Sequence, residues 1–495
     1  MVKEDQDIGY ESMHTTSGMR TVQELKNLAN SISILNSQLI EDTASITIDE
    51  MMKWSVSGED NPEPNSAVDS RVVLRGIPNA YAMRNGWIWY SPMDSYSTEK
   101  VEILRGPNAF LYGEADVGGA QNQITKRGLF TRNINQLKIM IGSDELRRAE
   151  IDLNRRLLAD KLAVRVSAVK SYNESWIDNV RREFHGVYAA VTYRPFRNTS
   201  INVMAEHAET ISVNSQGLFV DAFSRVPNAT IAAAGGYVYV PATGLGYRAQ
   251  GAGRVNSTGS ATAIIDPSIV PKTFHSAGPN NTFENIYQSV TLEAEHHIGK
   301  NLHLQLSGNF YERKVDIMGV GAGRNIFRDR NRLLPNGQAN PNFDELYTEY
   351  FRIRNEHGNI VKDIRFSAVY DVHTSWMKQQ LLFNIQQHQD NPYHRKPKWG
   401  EYLDETNPAF TGVIRRDLTQ AAYTANRATF TANRFMRRYY FNRDGLEGND
   451  DMGPVPGVSA WYPDLSNAVG AAGHQLYRRF YWKRPGSITS GCRIS

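Results

Sequence analysis

"VEILRGPNAFLYGEADVGGAQNQITKR", Val101 to Arg127, sets four glycines and a proline between two runs of strand-forming residues. Glycine-dense turns serve two ends. They cradle a phosphate, or they let backbone lie on backbone where a Cβ would intrude. A Walker-type loop needs a Lys followed by Ser or Thr, with a helix behind it. "GEADVGG" has no such Lys, and the β-like "AQNQITKR" follows it directly. The stretch therefore reads as a turn within a sheet, and its neighbours say which kind.

Upstream lies a small α/β unit. "SISIL" (Ser31 to Leu35) is strand-like. In "TIDEMMKW", Thr47 is an N-cap candidate with Glu50 three residues on, the spacing of a capping box. "RVVLRG" (Arg71 to Gly76) and "VEILRG" are short strands ending in Arg-Gly. Asn85-Gly86 opens "NGWIWY" with the pair that favours a tight hairpin.

Downstream, from residue 135, apolar and polar residues alternate with period two. Leu137, Ile139 and Ile141 share a face. Ile151 and Leu153 stand opposite Glu150, Asp152 and Asn154, and Val164 and Val166 oppose Arg165 and Ser167. The pattern returns in "GVYAAVTY", "SINVMAE", "SVTLEAE", "NLHLQLS", "DIRFSAVY" and "QLLFNIQ", nine strands in all. A sandwich alternates in the same way, so loop lengths must discriminate. Connections at 158–161, 194–199, 298–301 and 372–376 are short. Those between them, apart from 143–145, run long: near 174–183, then about 209–284, 315–358 and 390–473. Trimming at one end and elaboration at the other is the asymmetry of an outer-membrane barrel. On that reading the apolar face meets lipid and the polar face lines a lumen.

Composition narrows the function. Lys and Arg total 55 against 52 Asp and Glu, without basic blocks, which argues against nucleic acid as a partner. One cysteine, Cys492, excludes a disulfide scaffold and a thiolate metal site. No window is long and apolar enough for a membrane-spanning helix. The first thirteen residues carry no signal-peptide core, so the expectation is either a cytoplasmic protein or a sequence that begins after its targeting segment was lost. His296, His297 and His303 flank one turn, but alternation sets the first two on opposite faces, and they read as turn histidines rather than metal ligands. Ser17-Gly18 and Ser57-Gly58 lack a nucleophile-elbow context. The expectation is a protein that is not an enzyme and has no metal or cofactor.

"RVVLRGIPNAYAMRNG" together with "VEILRGP", "LYG" (Leu111 to Gly113), Gly118-Gly119 and "TKR" (Thr125 to Arg127) resembles the plug domain of TonB-dependent outer-membrane receptors. The resemblance implies an α+β plug followed by an antiparallel transmembrane β-barrel. It divides the chain into a periplasmic segment at 1–20, a plug at 21–130 and barrel strands at 135–495. It implies active uptake of a scarce nutrient, a ferric siderophore above others, across a Gram-negative-type outer membrane. The partners would be an iron chelate outside, bilayer lipid around the barrel and the energy-transducing protein TonB in the periplasm. Two plug apices would meet the ligand: the loop after Arg75, with Pro78, Asn79 and Tyr81, and the loop after Asn85-Gly86, with Trp89 and Tyr90. Hairpin packing would account for the same aromatics. Arg75-Gly76 and Arg105-Gly106, with Gly113, Gly118 and Gly119, would shape and gate the plug. The two arginines would lock onto Glu150, Asp152, Glu293 or Glu295, or else stand solvated at strand ends.

Family barrels have 22 strands. Nine strands and a tenth at 474–483 imply a plug with somewhat under half a barrel, and "RPGSITSGCRIS" differs from an aromatic-terminated closing strand. A clear copy of the short apolar box offered to TonB is also missing. The rival reading is a soluble secreted β-module that binds carbohydrate or acts as an adhesin.

Overall fold

Between Thr125 and Ile134 the chain passes from one sheet to another. The computed structural model describes residues 9–15, 31–56, 72–105, 118–158, 160–214, 281–299, 301–322, 337–373, 378–412 and 432–441, with shorter pieces between.

The first sheet holds β1 (Ile32–Asn36), β2 (Val72–Leu74), β3 (Ile77–Arg84), β4 (Thr98–Arg105) and β5 (Gly119–Thr125), in the order β1-β4-β5-β3-β2. β3 and β5 run parallel, and the other neighbours are antiparallel. Helix α1 (Ser37–Asp42) starts where the Asn36 side chain accepts from Leu39 N at 3.0 Å. Helix α2 (Ile48–Met52) carries the full Thr47–Glu50 capping box and buries Ile48, Met51 and Met52.

Two tight turns shape this sheet. Asn85 (φ 49°) and Gly86 (φ 75°) close a hairpin that pairs Arg84 with Trp87. Arg75 (φ 55°) and Gly76 (φ 69°) close another, with Leu74 already opposite Ile77. The second corrects the sequence reading. A two-residue turn leaves no loop after Arg75, so Pro78, Asn79 and Tyr81 lie within β3, where Tyr81 pairs with Ala120 of β5.

The second sheet is a meander of β6 (Ile134–Ile141), β7 (Arg147–Leu158), β8 (Leu162–Glu174), β9 (Arg181–Tyr193), β10 (Thr199–Val213), β11 (Thr282–Ile298), β12 (Leu302–Ala322), β13 (Leu346–His373) and β14 (Lys378–Leu403). Each strand pairs antiparallel with the next. Strand parity therefore puts the turns after Leu158, Tyr193, Ile298 and His373 at one trimmed end. The long connections after Val213 and Ala322 leave from the other, elaborated end. A further strand, β15 (Ser487–Arg493), pairs with β14, whereas the strand expected at 474–483 lies outside the described residues.

The last strands run farther than alternation suggested: β12 reaches Ala322, β13 starts at Leu346 and β14 reaches Leu403. The loops expected at 315–358 and from 390 are shorter by those lengths. Period-two hydrophobicity marks only the part of a strand that needs an apolar face. Beyond it, ladder hydrogen bonds and pairs such as Arg354 Nη2 to Asp316 at 2.5 Å hold the ribbon.

Burial on this sheet is inverted. Leu137 and Ile139 are each 67% exposed and Ile141 84%, whereas Asp152 is 5%, Asn154 0% and Glu206 4% exposed. Isolated in water, such a face would be a large apolar liability. Among the described residues no second sheet covers it, which removes the sandwich. The polar wall is buried because the first domain fills the lumen. Trp89, Met93, Tyr96, Val101 and Ile103 share one core with Phe184, Tyr188, Met204, Tyr287 and Tyr311 of the wall.

Candidate functional site

The Asn85-Gly86 hairpin is pinned from β5. Asn85 N donates to Gln123 O at 2.8 Å, Asn85 Nδ2 to Thr125 Oγ1 at 2.9 Å, and Gly86 N to Asn122 Oδ1 at 2.9 Å. The chain then returns along β3, with Trp89 N donating to Ala82 O. This return carries two aromatic residues to the wall. Trp89 lies 4.1 Å from the Tyr311 ring and meets Tyr287 edge-on at 5.3 Å, with the Arg84 guanidinium 4.6 Å from its centroid. It is only 3% exposed. That makes it the support of the site and removes it as a surface contact, because its ring is already covered by barrel aromatics.

Tyr90 is half-buried and differently engaged. Its hydroxyl donates to Asp390 Oδ2 at 2.7 Å. Arg313 sits 5.2 Å over its ring and donates from Nη1 to Tyr90 O at 2.9 Å. Asn359 ties the group together, accepting from Arg313 Nε and donating to Asp390 Oδ1, both at 3.1 Å. Ser91 Oγ meets Tyr311 Oη at 2.7 Å. The contacts on β12, β13 and β14 all lie near the middle of these long strands.

Above them, a short strand (Phe435–Tyr440) pairs with β13 and brings two further arginines. Arg438 donates to Glu349 Oε1 from Nε at 2.9 Å and Nη2 at 2.6 Å, and lies 4.1 Å over Tyr347. Arg437 faces Glu401 at 3.3 Å, and Tyr440 donates to Asp329 at 2.6 Å. Sequence reasoning assigned this region to a loop. The run "RRYY" was its only signal.

Ion pairs join the inner domain to the wall, but not through the arginines named from sequence. Arg105 donates to Ser31 Oγ at 2.8 Å, Val56 O at 3.0 Å and Ser33 Oγ, all within its own domain. Arg75 is exposed at its turn, and among the described residues no ion pair links it to the wall. A strand-end arginine beside hydroxyl groups satisfies itself locally. The wall carboxylates take other cations: Lys126 with Asp152 at 2.9 Å, Arg127 with Glu293 at 2.5 Å, and Arg84 with Glu206. Glu150 accepts from Arg148 beside it, and Glu295 from Gln305. Arg148 also reaches inward, holding Asp94 with two hydrogen bonds at 2.6 and 3.0 Å. Tyr96 donates to Glu206 at 2.5 Å; burial first, then that carboxylate, keeps its hydroxyl protonated well above the usual phenol range.

Gly118 is buried, and Gly119 takes φ +135° where a Cβ would meet Leu104 O. Gly106 and Gly113 lie outside the described residues. Among the described residues no group of three or more His, Cys, Asp or Glu is arranged to hold a metal.

A small mixed sheet folded into the lumen of an inside-out antiparallel barrel defines a plugged barrel of the outer-membrane type. Residues 24–120 match the TonB-dependent Receptor Plug Domain. The ferrioxamine receptor of Yersinia enterocolitica is 21% identical over 208 residues, covering 40% of this chain and 29% of that protein. The metal-pseudopaline receptor CntO of Pseudomonas aeruginosa is 27% identical over 216 residues, covering 42% and 30%. Among solved structures, the ferric-catecholate import receptor Fiu of Escherichia coli K12 superposes with TM-score 0.58 at 15% identity, covering 79% of this chain and 54% of Fiu. The pyoverdine receptor FpvA of P. aeruginosa PAO1 gives 0.58 at 14% identity, covering 78% and 51%. Residues 24–120 are thus similar to the plug of TonB-dependent receptors, and the chain shares the fold of those barrels while spanning about half of them and under a third of those curated relatives.

Proposed function

We propose that this chain is the plug and first strands of an outer-membrane receptor that takes up a metal chelate, a ferric siderophore, with energy delivered from the periplasm by TonB. The trimmed end then faces the periplasm and the elaborated end faces outside. The observation that carries this reading is Tyr90, a half-buried aromatic under the elaborated end with Arg313 over its ring. A flat, polarisable surface with a guanidinium beside it suits a bulky, oxygen-rich chelate. Tyr90 is the proposed contact and Trp89 its backing. The return past Ala82 brings Tyr90 toward the part of β3 that holds Tyr81, Asn79 and Pro78, which are proposed as its neighbours.

The test is binding of ferric hydroxamate and ferric catecholate chelates to the purified protein, followed by tryptophan fluorescence. The expected outcome is saturable quenching by one class, lost in Tyr90→Ala with the fold intact. No binding of either class, or unchanged binding in that variant, would overturn the reading.

A further inference from the structure

At the trimmed end a second cavity opens, far from Tyr90 and sharing no residue with it. Its volume is about 380 Å³. The linker leaving the plug supplies Arg127 and Gly128, the β9–β10 turn supplies Arg194 and Arg197, and the end of β11 supplies His297. Gly128 is required there, since a Cβ would stand 2.7 Å from Ala163 O of β8.

The lining is biased toward cations. Three guanidinium groups face one carboxylate, Glu295, whose Oε1 already accepts from Gln305 at 3.4 Å. Arg127 reaches Glu293 with Nη2, and its Nε is a buried donor with no hydrogen-bond partner among the described residues. Arg194 lies 4.2 Å over the Phe130 ring, which fixes its plane, and Arg197 is exposed on the turn.

His297 is oriented from behind. Asp371 Oδ2 lies 3.3 Å from His303 Nε2, and His303 Nδ1 lies 2.5 Å from His297 Nδ1. With the carboxylate accepting from Nε2–H, His303 presents its Nδ1 lone pair to the His297 Nδ1–H. His297 Nε2 is then the outer end of this chain.

We propose that this cavity is a binding site for a small anion bearing a phosphate or carboxylate group. Planar guanidinium donors match both oxyanions. The site does not depend on the uptake reading, because none of its residues belongs to the upper cluster.

The experiment is isothermal titration of the detergent-solubilised protein with inorganic phosphate and, separately, with citrate at low ionic strength. Saturable binding is expected, weakening with added salt. The double variant Arg194→Gln/Arg197→Gln should bind roughly tenfold more weakly. Binding of phosphate alone supports the site and assigns it to phosphate-bearing ligands; binding of citrate as well supports it and extends it to carboxylates. Absence of binding by either anion, or equal affinity in the double variant, overturns the proposal. Should the double variant not fold, Arg197→Gln alone, on the exposed turn, should weaken binding roughly threefold. Unchanged affinity there overturns it equally.

Discussion

Arg84 of the plug and Glu206 of the barrel wall form an ion pair with both side chains buried, and Tyr96 and Tyr287 donate to the same carboxylate. Two groups of the plug and one of the wall thus converge on a single wall carboxylate. Breaking a buried pair from one side costs roughly 3–5 kcal/mol, because the other charge is left behind. Glu206→Ala should therefore loosen the plug, and limited proteolysis should cut it faster while the barrel stays folded. The paired change Arg84→Met/Glu206→Met should recover most of the protection, since no charge is stranded. Equal protease resistance in wild type and Glu206→Ala would remove this pair as a lock.

Gly119 and Gly76 both have positive φ, yet they should differ in tolerance. At Gly119 a Cβ would run into the Leu104 carbonyl, across the pairing of β4 with β5. At Gly76 nothing stands within 4 Å of that position. Gly76→Ala should cost about 1 kcal/mol, from backbone conformation alone, and Gly119→Ala over ~2 kcal/mol. Denaturant unfolding of the two variants compares them directly, and equal losses would contradict the geometry.

His275, beside the start of β11, is fully buried, and burial lowers its pKa to about 4. The unfolded imidazole titrates near 6.5. Its folded pKa is depressed, so the neutral ring's contribution is whole above pH 6.5 and is lost progressively as pH falls toward 4. By linkage the loss reaches about 3 kcal/mol. Hydrogen exchange around 273–281 should accelerate between pH 6.5 and 4, after correction for intrinsic rates. His275→Phe should flatten that dependence, and a flat wild-type profile would refute it.

Val203 faces outward from β10, 37% exposed, between the inward-facing Asn202 and Met204. If lipid covers that face, Val203→Lys should cost roughly 2–4 kcal/mol in a bilayer near mid-depth. Reversible unfolding from lipid vesicles measures it. A change within about 0.5 kcal/mol, the usual range for a water-exposed site, would argue that water covers the face instead.

What could be read without coordinates was local or periodic. The capping box of Thr47 and Glu50, the Asn85-Gly86 hairpin and the alternation through Leu137, Ile139 and Ile141 each follow from rules spanning a few residues. Loop parity added which ends lie together, because an antiparallel meander returns to the same side every second strand. The likeness of residues 24–120 to a receptor plug was legible too, since the plug motifs are short and contiguous.

The partners of buried charges were not legible. Tyr96 and Glu206 stand 110 residues apart, and Arg127 and Glu293 stand 166 apart. Which cation meets which carboxylate depends on the register of each wall strand and the rotation of the plug in the lumen. Arg105 looked like a lock from its motif, but Ser31 and Ser33, brought beside it by the β1–β4 pairing, satisfy it at home. Trp89 likewise read as an exposed apex until Tyr287 and Tyr311 closed over it. Sequence determined which residues could face the lumen. Only the packing of plug against wall decided what each would meet there, because those contacts join segments that no local rule connects.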